Sequence, residues 1–413
     1  MNPVIGLDVA KGESQVQAFL DKRKPYRKSF SILHNVEEFN NIFLIFLKEI
    51  ETLAGKKPTV VLESTGHYHT PIVQFLEEHQ YVYIIVNPLI AYRAKSSSLR
   101  KVKTDAIDAF HLCELYYKEE LEPYKKRGIQ RLNLRNLTRL HESISGVSAQ
   151  TKLQLHSVLD QIFPEYVGVF GDLYSKVSLK ILLQFPTSKS VLCISESTLA
   201  DEIASLCKSR SDKWAKERAQ KLKDAAFRNP FQSNLFQSHI FNLEILVTLI
   251  LQYQEHLSKL EAEIDALAKE IEEYKILQSI PGIGEKIAAT IISEIGEIDR
   301  FNHPKKLVAF AGVDPSVYSS GRFTASVNRI TKRGSSSLRH ALYMAVRCGI
   351  RDARKKKTTD EIIPRNKRLR EFYDKKRNEG KPFRVAITAC VNKLLHWIYA
   401  VLKSKTDFQD SSQ

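Results

Sequence analysis

Short apolar runs alternate with amphipathic segments from the start of the chain to about residue 120, and this order predicts an α/β domain. The strands are predicted at residues 4–10, 14–20, 26–32, 59–62 and 81–86. The first three follow one another directly, as in an antiparallel meander, whereas helical segments separate the later ones. The helix before the fourth strand is predicted over residues 36–53, with its phenylalanines on one side.

Two acids interrupt the apolar strands of this region, and two more begin its last helix. Asp8 is the single acid of the first strand, and Glu63 ends the fourth. Asp105 and Asp108 stand three residues apart at the head of a predicted helix, so both carboxylates project from one face. A structural interpretation is that the helix dipole favours the aspartate pair and that Asp8 pairs with a lysine such as Lys11. The residues alone leave this and a metal-binding interpretation open.

Helical patterns fill the middle of the chain. Residues 132–159 are predicted as one long helix, and residues 162–237 as mixed helices broken by prolines. Apolar residues then alternate three and four positions apart, which is typical of a coiled-coil seam. The seam residues are Leu243, Leu246, Ile250, Tyr253, Leu257, Leu260, Ile264, Leu267, Ile271 and Tyr274. The seam pairs either with the helix 132–159 of the same chain or with a second copy.

The C-terminal region carries the whole charge excess. The net charge is +16, and residues 317–403 contain 22 lysines and arginines against 6 acids, so the rest of the chain is balanced. Each basic side chain placed on a phosphate releases condensed counterions. An anionic membrane is the competing partner, but no amphipathic helix with aromatic anchors supports it here. This composition favours a nucleic-acid partner.

A glycine-rich turn precedes the basic region. Residues 277–288 have the form of a helix-hairpin-helix motif, in which Gly282 and Gly284 allow the backbone to approach a phosphate. The second helix offers free N–H groups at its start, near Lys286. A tight turn between two helices is the structural alternative.

A serine-containing polar loop lies farther along. Residues 316–322 form this loop, and an amphipathic helix is predicted over residues 338–348. Ser336 or Ser337 is predicted as the N-cap of that helix. Because serine is common in loops, spacing alone identifies no nucleophile.

The cysteines and the apolar runs indicate the compartment. Five cysteines are scattered without a CxxC pair, which argues against a zinc site and against a disulfide framework. The longest apolar run, residues 245–251, is too short to span a bilayer, and no signal peptide is visible. A cytoplasmic protein without a membrane partner is expected.

The order Asp8, Glu63, Asp105, Asp108 resembles the ribonuclease H-like fold in its RuvC-like branch. In that fold four such acids converge and hold two Mg²⁺ ions. Hard oxygen ligands suit this ion and leave positions open for water and phosphate. Two ions can then activate the attacking oxygen and stabilise the leaving one. The resemblance implies that these four acids bind two Mg²⁺ ions.

Three sequence blocks together resemble the DEDD-type insertion-sequence transposases related to the Piv site-specific invertases. The blocks are residues 6–11 with 63–66, residues 103–109, and residues 280–284 with 309–312 and 318–321. The resemblance implies a RuvC-like α/β domain, a helical coiled-coil middle, and a mainly α transposase domain with the helix-hairpin-helix motif. Some family members are directed by a noncoding bridge RNA that pairs with donor and target DNA.

The family's site residues carry over to the matching positions. The metal-binding acids correspond to Asp8, Glu63, Asp105 and Asp108. The family's Tyr-x-Ser-Gly block contains a serine proposed to attack DNA and to form a phosphoserine intermediate. That serine corresponds to Ser320, and the neighbouring Ser319 leaves the assignment open by one residue. Residues 162–237 depart from the compact members as an insertion. The predicted phosphate contacts near the serine are Arg322, Lys332, Arg333 and Arg339.

These features predict a Mg²⁺-dependent DNA transposase that acts as a homo-oligomer with RNA. The predicted domains are residues 1–125, 126–275 and 276–413. One alternative is a RuvC-like nuclease or resolvase that hydrolyses DNA with metals alone. Another is a non-catalytic nucleic-acid-binding scaffold, whose binding would be sensitive to salt but independent of the acids.

Overall fold

The computed structural model describes residues 1–63, 66–86, 104–119, 129–207, 209–231, 237–316, 319–320, 323–324, 329–351 and 364–409. Contacts divide the chain into two compact units, Met1–Lys126 and Arg127–Gln413. The three-domain division of the sequence analysis stays a prediction.

A five-stranded mixed sheet forms the first unit. Its strands are β1 (Val4–Val9), β2 (Glu13–Asp21), β3 (Lys24–Leu33), β4 (Thr59–Glu63) and β5 (Tyr83–Val86). The order across the sheet is β3-β2-β1-β4-β5. The first three strands pair antiparallel, whereas β4 is parallel to both β1 and β5. The predicted α/β order of this region is confirmed, and it is compatible with a ribonuclease H-like domain.

Helices cover both faces of this sheet. The first helical segment comprises Val36–Glu38, a π-helical stretch Phe39–Phe43 and α1 (Leu44–Ala54). It packs with α2 (Thr70–Glu78) on the face to which Ile5 and Leu7 point. The opposite face carries α3 (Asp105–Lys118), which shares a smaller core with Val4. Because strand residues alternate between faces, β1 divides its side chains between two cores.

Two long helices organise the first part of the second unit. Helices α4 (Ile129–Ile162) and α9 (Gln237–Lys269) contact each other more extensively than any other pair of described elements. A short 3₁₀ turn, Pro164–Tyr166, follows α4. The helices between them are α5 (Lys176–Gln184), α6 (Ser188–Leu192), α7 (Glu196–Leu206) and α8 (Asp212–Arg228). These short helices bury a core of their own with parts of α4 and α9, so the predicted mixed helices are confirmed.

The residues of the predicted seam are divided between two helices, and the coiled coil stays a prediction. Helix α9 ends at Lys269, and α10 (Glu272–Gln278) begins after Ile271, whose backbone is extended. Ile271 and Tyr274 nevertheless stay buried, because α9 and α10 turn their apolar sides into the same core. Pairing of α9 with α4 occurs within the chain. Self-association through the seam stays a prediction.

The remaining helices surround the C-terminal core. They are α10, α11 (Glu285–Ile295), α12 (Pro304–Ala311), α13 (Ser336–Ile350), α14 (Lys367–Asn378) and α15 (Phe383–Ser404), with a 3₁₀ turn at Ile298–Arg300. Two short strands, β6 (Ser319–Ser320) and β7 (Phe323–Thr324), pair antiparallel between α12 and α13. The mainly helical character predicted for this region is confirmed.

Helix α15 is long and apolar enough to cross a membrane by length and composition, which the search for apolar runs missed. Eight of its buried residues, including Leu394 and Leu395, belong to the C-terminal core. Core helices of this kind pass the same test, because a helix buried on most sides is apolar all round.

Candidate active site

Two of the four predicted acids lie at the carboxyl ends of neighbouring parallel strands. In the pairing of β1 with β4, Leu7 stands opposite Leu62, so Asp8 and Glu63 occupy the next positions along the two strands. Both side chains are half-buried. Asp8 follows Leu7, and Glu63 follows Leu62, so each acid points to the face opposite its neighbouring leucine. Both leucines belong to the core under α1 and α2. The two acids therefore lie on the other face of the sheet, the face that carries α3.

Helix α3 begins at the same end of the sheet. The hydroxyl of Tyr117, near the end of the helix, donates to the backbone oxygen of Asn2 at 2.6 Å. Ala109, two turns earlier, lies against Gly6. The helix consequently runs antiparallel to β1, and its first turn lies toward the end of the strand that carries Asp8.

The second acid pair occupies this first turn. Thr104 caps the helix, and its side chain accepts a hydrogen bond from the N–H of Ile107. Asp105 is exposed, whereas Asp108 is only 6% exposed. The helix dipole favours both negative charges in the first turn. The sequence argument placed the pair correctly at a helix start, and the structure adds that one member is buried.

Gly6 is a residue of this site that the sequence analysis named only as part of a block. A Cβ atom at Gly6 would lie 2.2 Å from the backbone oxygen of Ala109 and 3.0 Å from Sγ of Cys113. The absent side chain lets α3 rest directly on β1. Gly6 is separated from Asp8 by one residue, and Ala109 follows Asp108, so we expect this contact to set the spacing of the two acids.

Only carboxylates make up the predicted donor set of this site. Within the described ranges, no three side chains of His, Cys, Asp or Glu are close enough together to hold an ion. The fold thus collects the four acids at one end of one sheet face without closing them into a ligand cluster. Carboxylate oxygens that are partly open to solvent are the donors that Mg²⁺ takes while keeping several waters. The residues fit such an ion by their chemistry.

The predicted nucleophile lies in a β-hairpin of the second unit. Ser320 pairs with Phe323, and Ser319 with Thr324, in the two-residue strands β6 and β7. Arg322, a predicted phosphate contact, lies between the strands and outside the described residues. A second antiparallel bridge joins Pro315 and Ile330 on the two sides of the hairpin. We refer to residues 312–316 and 329–334, which flank the hairpin, as its neck.

The other predicted contacts near the serine differ in exposure. Lys332 and Arg333 are exposed in the neck, where their side chains remain candidates for phosphate. Arg339 is half-buried, and its Nη1 donates to the backbone oxygens of Ala311 and Gly334 at 3.2 and 2.8 Å. Its binding to phosphate stays a prediction, although its structural role is clear.

The cap of helix α13 differs from the prediction. The Oγ atom of Ser335 accepts from the N–H of Leu338 at 3.1 Å, so Ser335 is the N-cap and Ser336 already belongs to the helix. The prediction of Ser336 or Ser337 was wrong by one or two residues. All three serines are acceptable caps chemically, and only the backbone conformation selects among them.

The glycine-rich turn is held mainly by internal packing. Gly282 has φ of +107°, and a Cβ atom there would lie 2.7 to 2.8 Å from the backbone of Ala345 and Gly349 in α13. The side-chain amide of the buried Asn366 also holds this turn, because it donates to the backbone oxygen of Pro281 at 3.1 Å. The space that a phosphate would need beside Gly282 is therefore occupied by α13, which favours the structural alternative at this residue.

Gly284 and Lys286 have more open surroundings. No atom lies within 4 Å of a Cβ built at Gly284, which caps α11 without a side-chain hydrogen bond. The Nζ atom of Lys286 forms an ion pair with Glu261 of α9, which also contacts His141 at 3.2 Å. The lysine is 63% exposed, so this pair is weak and exchangeable. Phosphate binding at these two residues stays a prediction.

A buried acid beside the N-cap of α13 escaped the sequence analysis. Glu294 is fully buried, and its carboxylate accepts from Nε of Arg139 at 2.7 Å and from Nε of Arg135 at 3.3 Å. Burial alone would raise the pKa of Glu294, but the Arg139 hydrogen bond, the Arg135 charge and Ser335 together lower it. This network joins α4 and α11 to the N-cap of α13. An acid inside the apolar pattern of residues 285–295 was the available signal.

Two family models match the chain in order. Residues 5–164 match a DEDD transposase model of the IS110 type, and residues 274–361 match the model of the IS116/IS110/IS902 transposase family. The first range contains all four acids, and the second contains the hairpin with Ser319 and Ser320.

Individual relatives agree with this assignment. The transposase for insertion sequence element IS1111A of Coxiella burnetii is 30% identical over 167 residues, which is 40% of this chain and 43% of the relative. The insertion element IS110 43.6 kDa protein of Streptomyces coelicolor is 22% identical over 273 residues, 65% of this chain and 62% of the relative. The pilin gene-inverting protein of Moraxella bovis is 28% identical over 133 residues, 32% of this chain and 38% of the relative.

Each of these relatives is matched over less than two thirds of its length. The two family models match separate segments that together span more than half of the chain, with the acids in the first segment and the serine hairpin in the second. In these two segments the chain is similar to the IS110/IS116 family of DEDD transposases.

Proposed function

We propose that the protein is the transposase of an insertion sequence and that it cleaves and rejoins DNA strands through a covalent phosphoserine intermediate. The observation that carries this proposal is the arrangement in the first unit. Asp8 and Glu63 end adjacent parallel strands, and Asp105 and Asp108 begin the helix that covers the same face. The match of residues 5–164 to a DEDD transposase model supports it.

In the proposed reaction, the Ser320 hydroxyl attacks a DNA phosphodiester. The serine Oγ–P bond forms, the bond from phosphorus to the leaving sugar oxygen breaks, and that oxygen takes up a proton. The proton of the serine hydroxyl passes to a nearby base, as a weak nucleophile requires. The linkage between serine and DNA is itself a phosphodiester, so the energy of the broken bond is conserved. A sugar hydroxyl of another strand can therefore attack this phosphorus, displace the serine and join the strands.

The four acids serve the same reaction through metal binding. Two Mg²⁺ ions would polarise the phosphate and offset its developing negative charge. Of the protein groups, Asp108 is buried and fixed at the start of α3, and Asp105 is exposed to solvent. We propose that Asp108 is the fixed ligand that positions the metal site. Asp105 is proposed as the ligand that can exchange with solvent.

The partners follow from charge. We propose donor and target DNA as substrates and a noncoding bridge RNA as the guide, with the protein acting as a homo-oligomer in the cytoplasm. Residues 317–403 carry the excess of basic side chains that such polyanions need. Gly284, Lys286, Lys332 and Arg333 are the proposed phosphate contacts among the described residues, and Arg322 is proposed outside them.

A trapping assay tests the covalent step. Full-length protein with Mg²⁺, its co-purified RNA and labelled donor and target duplexes is denatured and analysed for a protein-DNA adduct. The wild type is compared with Ser319→Ala, Ser320→Ala and Asp105→Ala. We expect the adduct to disappear in Ser320→Ala and Asp105→Ala and to persist in Ser319→Ala, because only one hydroxyl attacks and the metal site activates it.

Other outcomes of this assay assign a different function. Cleavage without an adduct that survives in Ser320→Ala would identify a metal-only nuclease or resolvase. Loss of the adduct in Ser319→Ala instead of Ser320→Ala would move the nucleophile by one residue. Salt-sensitive binding without cleavage under any divalent metal, and unchanged in Asp8→Ala, would indicate a non-catalytic scaffold.

A further inference from the structure

The neck of the serine hairpin is an antiparallel pair of segments with its own hydrogen bonds. The N–H of Lys332 donates to the oxygen of Gly312 at 3.0 Å, and that of Thr331 to the oxygen of Asp314 at 2.9 Å. The Oγ1 atom of Thr331 also donates to the Asp314 carboxylate at 2.6 Å. These bonds join the segment that follows α12 to the segment that precedes α13.

The side chain of Arg339 bridges the base of this neck. Nη1 of Arg339 donates both to Ala311, the last residue of α12, and to Gly334, the residue before the N-cap of α13. These two carbonyls mark the entry and the exit of the segment that carries the hairpin. A cation is also favoured at Ala311, because the unpaired carbonyls of a helix C-terminus carry partial negative charge.

The backbone at the base of the neck is packed without spare room. A Cβ atom at Gly334 would lie 1.7 Å from the oxygen of Phe310. Lys332 adopts φ of +53°, a conformation that residues other than glycine rarely take. Such strain persists only where surrounding contacts determine the backbone, and it is frequent at functional sites. The neck is thus held in one defined geometry.

We propose that Arg339 is a positioning residue for strand transfer, which closes the neck and thereby fixes the position of the hairpin that bears Ser319 and Ser320. The claim that Arg339 serves strand transfer rests on the proposed serine chemistry. The claim that Arg339 closes the neck rests only on its own contacts. Helix α13 itself is anchored by Leu338 and Leu342 in the C-terminal core, so loss of the Arg339 bridge leaves the helix in place.

This role differs measurably from phosphate binding. A lost phosphate contact weakens DNA binding for all sequences and reduces the slope of log affinity against log salt by about one. Loss of the neck bridge instead leaves the affinity for DNA nearly unchanged and exposes the neck amides to hydrogen exchange. Arg339→Ala and Arg339→Lys distinguish the two, because lysine keeps the charge but its shorter side chain and tetrahedral ammonium do not reproduce the two in-plane N–H groups of Nη1. Arg347, exposed on the same helix, provides the matched control Arg347→Ala.

The first measurement is hydrogen exchange of the full-length protein at the amides of Thr331 and Lys332. We expect protection to fall by about tenfold or more in Arg339→Ala, to recover partly in Arg339→Lys, and to stay at the wild-type level in Arg347→Ala. Unchanged protection in Arg339→Ala would overturn the proposal, since the neck would then be closed without the arginine.

The second measurement is the rate of adduct formation with the donor duplex, alongside its Kd at two salt concentrations. We expect the adduct rate of Arg339→Ala to fall by roughly 100-fold with Kd within about twofold, because displacement of a reacting group by about 1 Å has that effect. Weaker binding with a smaller salt slope and intact neck amides would establish a phosphate contact instead. If the wild type forms no adduct, the serine chemistry fails, and the exchange data still decide whether Arg339 closes the neck.

Discussion

Replacing Gly6 with alanine is expected to reduce Mg²⁺-dependent strand cleavage by roughly 100-fold, because α3 must move away from β1. The new methyl group would lie 2.2 Å from the oxygen of Ala109, whereas carbon and oxygen need about 3.3 Å, so the helix retreats by about 1 Å. That movement carries Asp108 away from Asp8. We expect the Mg²⁺ concentration for half-maximal cleavage to rise, measured as the cleavage rate against added Mg²⁺.

The stability of this variant should fall by about 2 kcal/mol, the usual range for overpacking a core. Urea unfolding measures this cost separately from activity. The matched control is Gly146→Ala in α4, where no atom lies within 4 Å of the new methyl group. It should leave cleavage unchanged and stabilise the helix by about 0.5 to 1 kcal/mol. Full cleavage activity in Gly6→Ala would show that the contact of α3 with β1 does not determine the spacing of the acids.

Replacing Glu294 with glutamine is expected to lower stability by about 2 kcal/mol, because Arg135 and Arg139 lose the buried charge that they share. Breaking a fully buried pair costs more, but Arg139 is 47% exposed and water replaces part of the interaction. For a unit of this size the change corresponds to a Tm lower by roughly 4 to 8 °C, measured by calorimetry. The exposed Glu142, which accepts from Ser337 at 2.5 Å, supplies the control Glu142→Gln, expected within about 0.5 kcal/mol of the wild type.

The same variant has a defined pH dependence. The folded-state pKa of Glu294 lies below its ordinary value because the two arginines outweigh the effect of burial. A lowered folded pKa contributes stability that is present above the unfolded value of about 4.3 and is lost as pH falls through the folded value. The stability difference between wild type and Glu294→Gln should therefore be constant near neutrality and shrink below about pH 4. A difference that grows toward acid pH would mean that Glu294 is protonated in the folded protein.

The sequence pattern was sufficient for the elements of the first unit and for the placement of its acids along the chain. The first three strands are joined by tight connections, and the two later strands are short, apolar and separated by helices, so their period and order predict the sheet. It was also sufficient to place Asp105 and Asp108 at a helix start. Which face α3 covers is not contained in that pattern, because β1 places apolar residues on both faces, Val4 on one and Ile5 on the other.

The seam of α9 shows where periodicity misleads. The three-four alternation continues through Ile271 and Tyr274, although the helix has ended at Lys269. Periodicity reports which residues face a core and not whether the backbone between them is continuous. The same limit applies to Gly282, whose open side faces Ala345 of α13 rather than a ligand. A glycine in a turn has the same appearance in sequence whether it faces phosphate or a packed helix.

The sequence by itself determined the α/β order, the four acids, the serine block and the concentration of basic charge after residue 317. These are properties of residue type and local spacing. Only the tertiary structure decided that Gly6 sets the distance between α3 and β1, that Arg339 bridges the neck, and that Glu294 is buried between two arginines. Each of these depends on a contact between residues more than 20 positions apart or on exclusion of water, and neither is encoded in a local pattern.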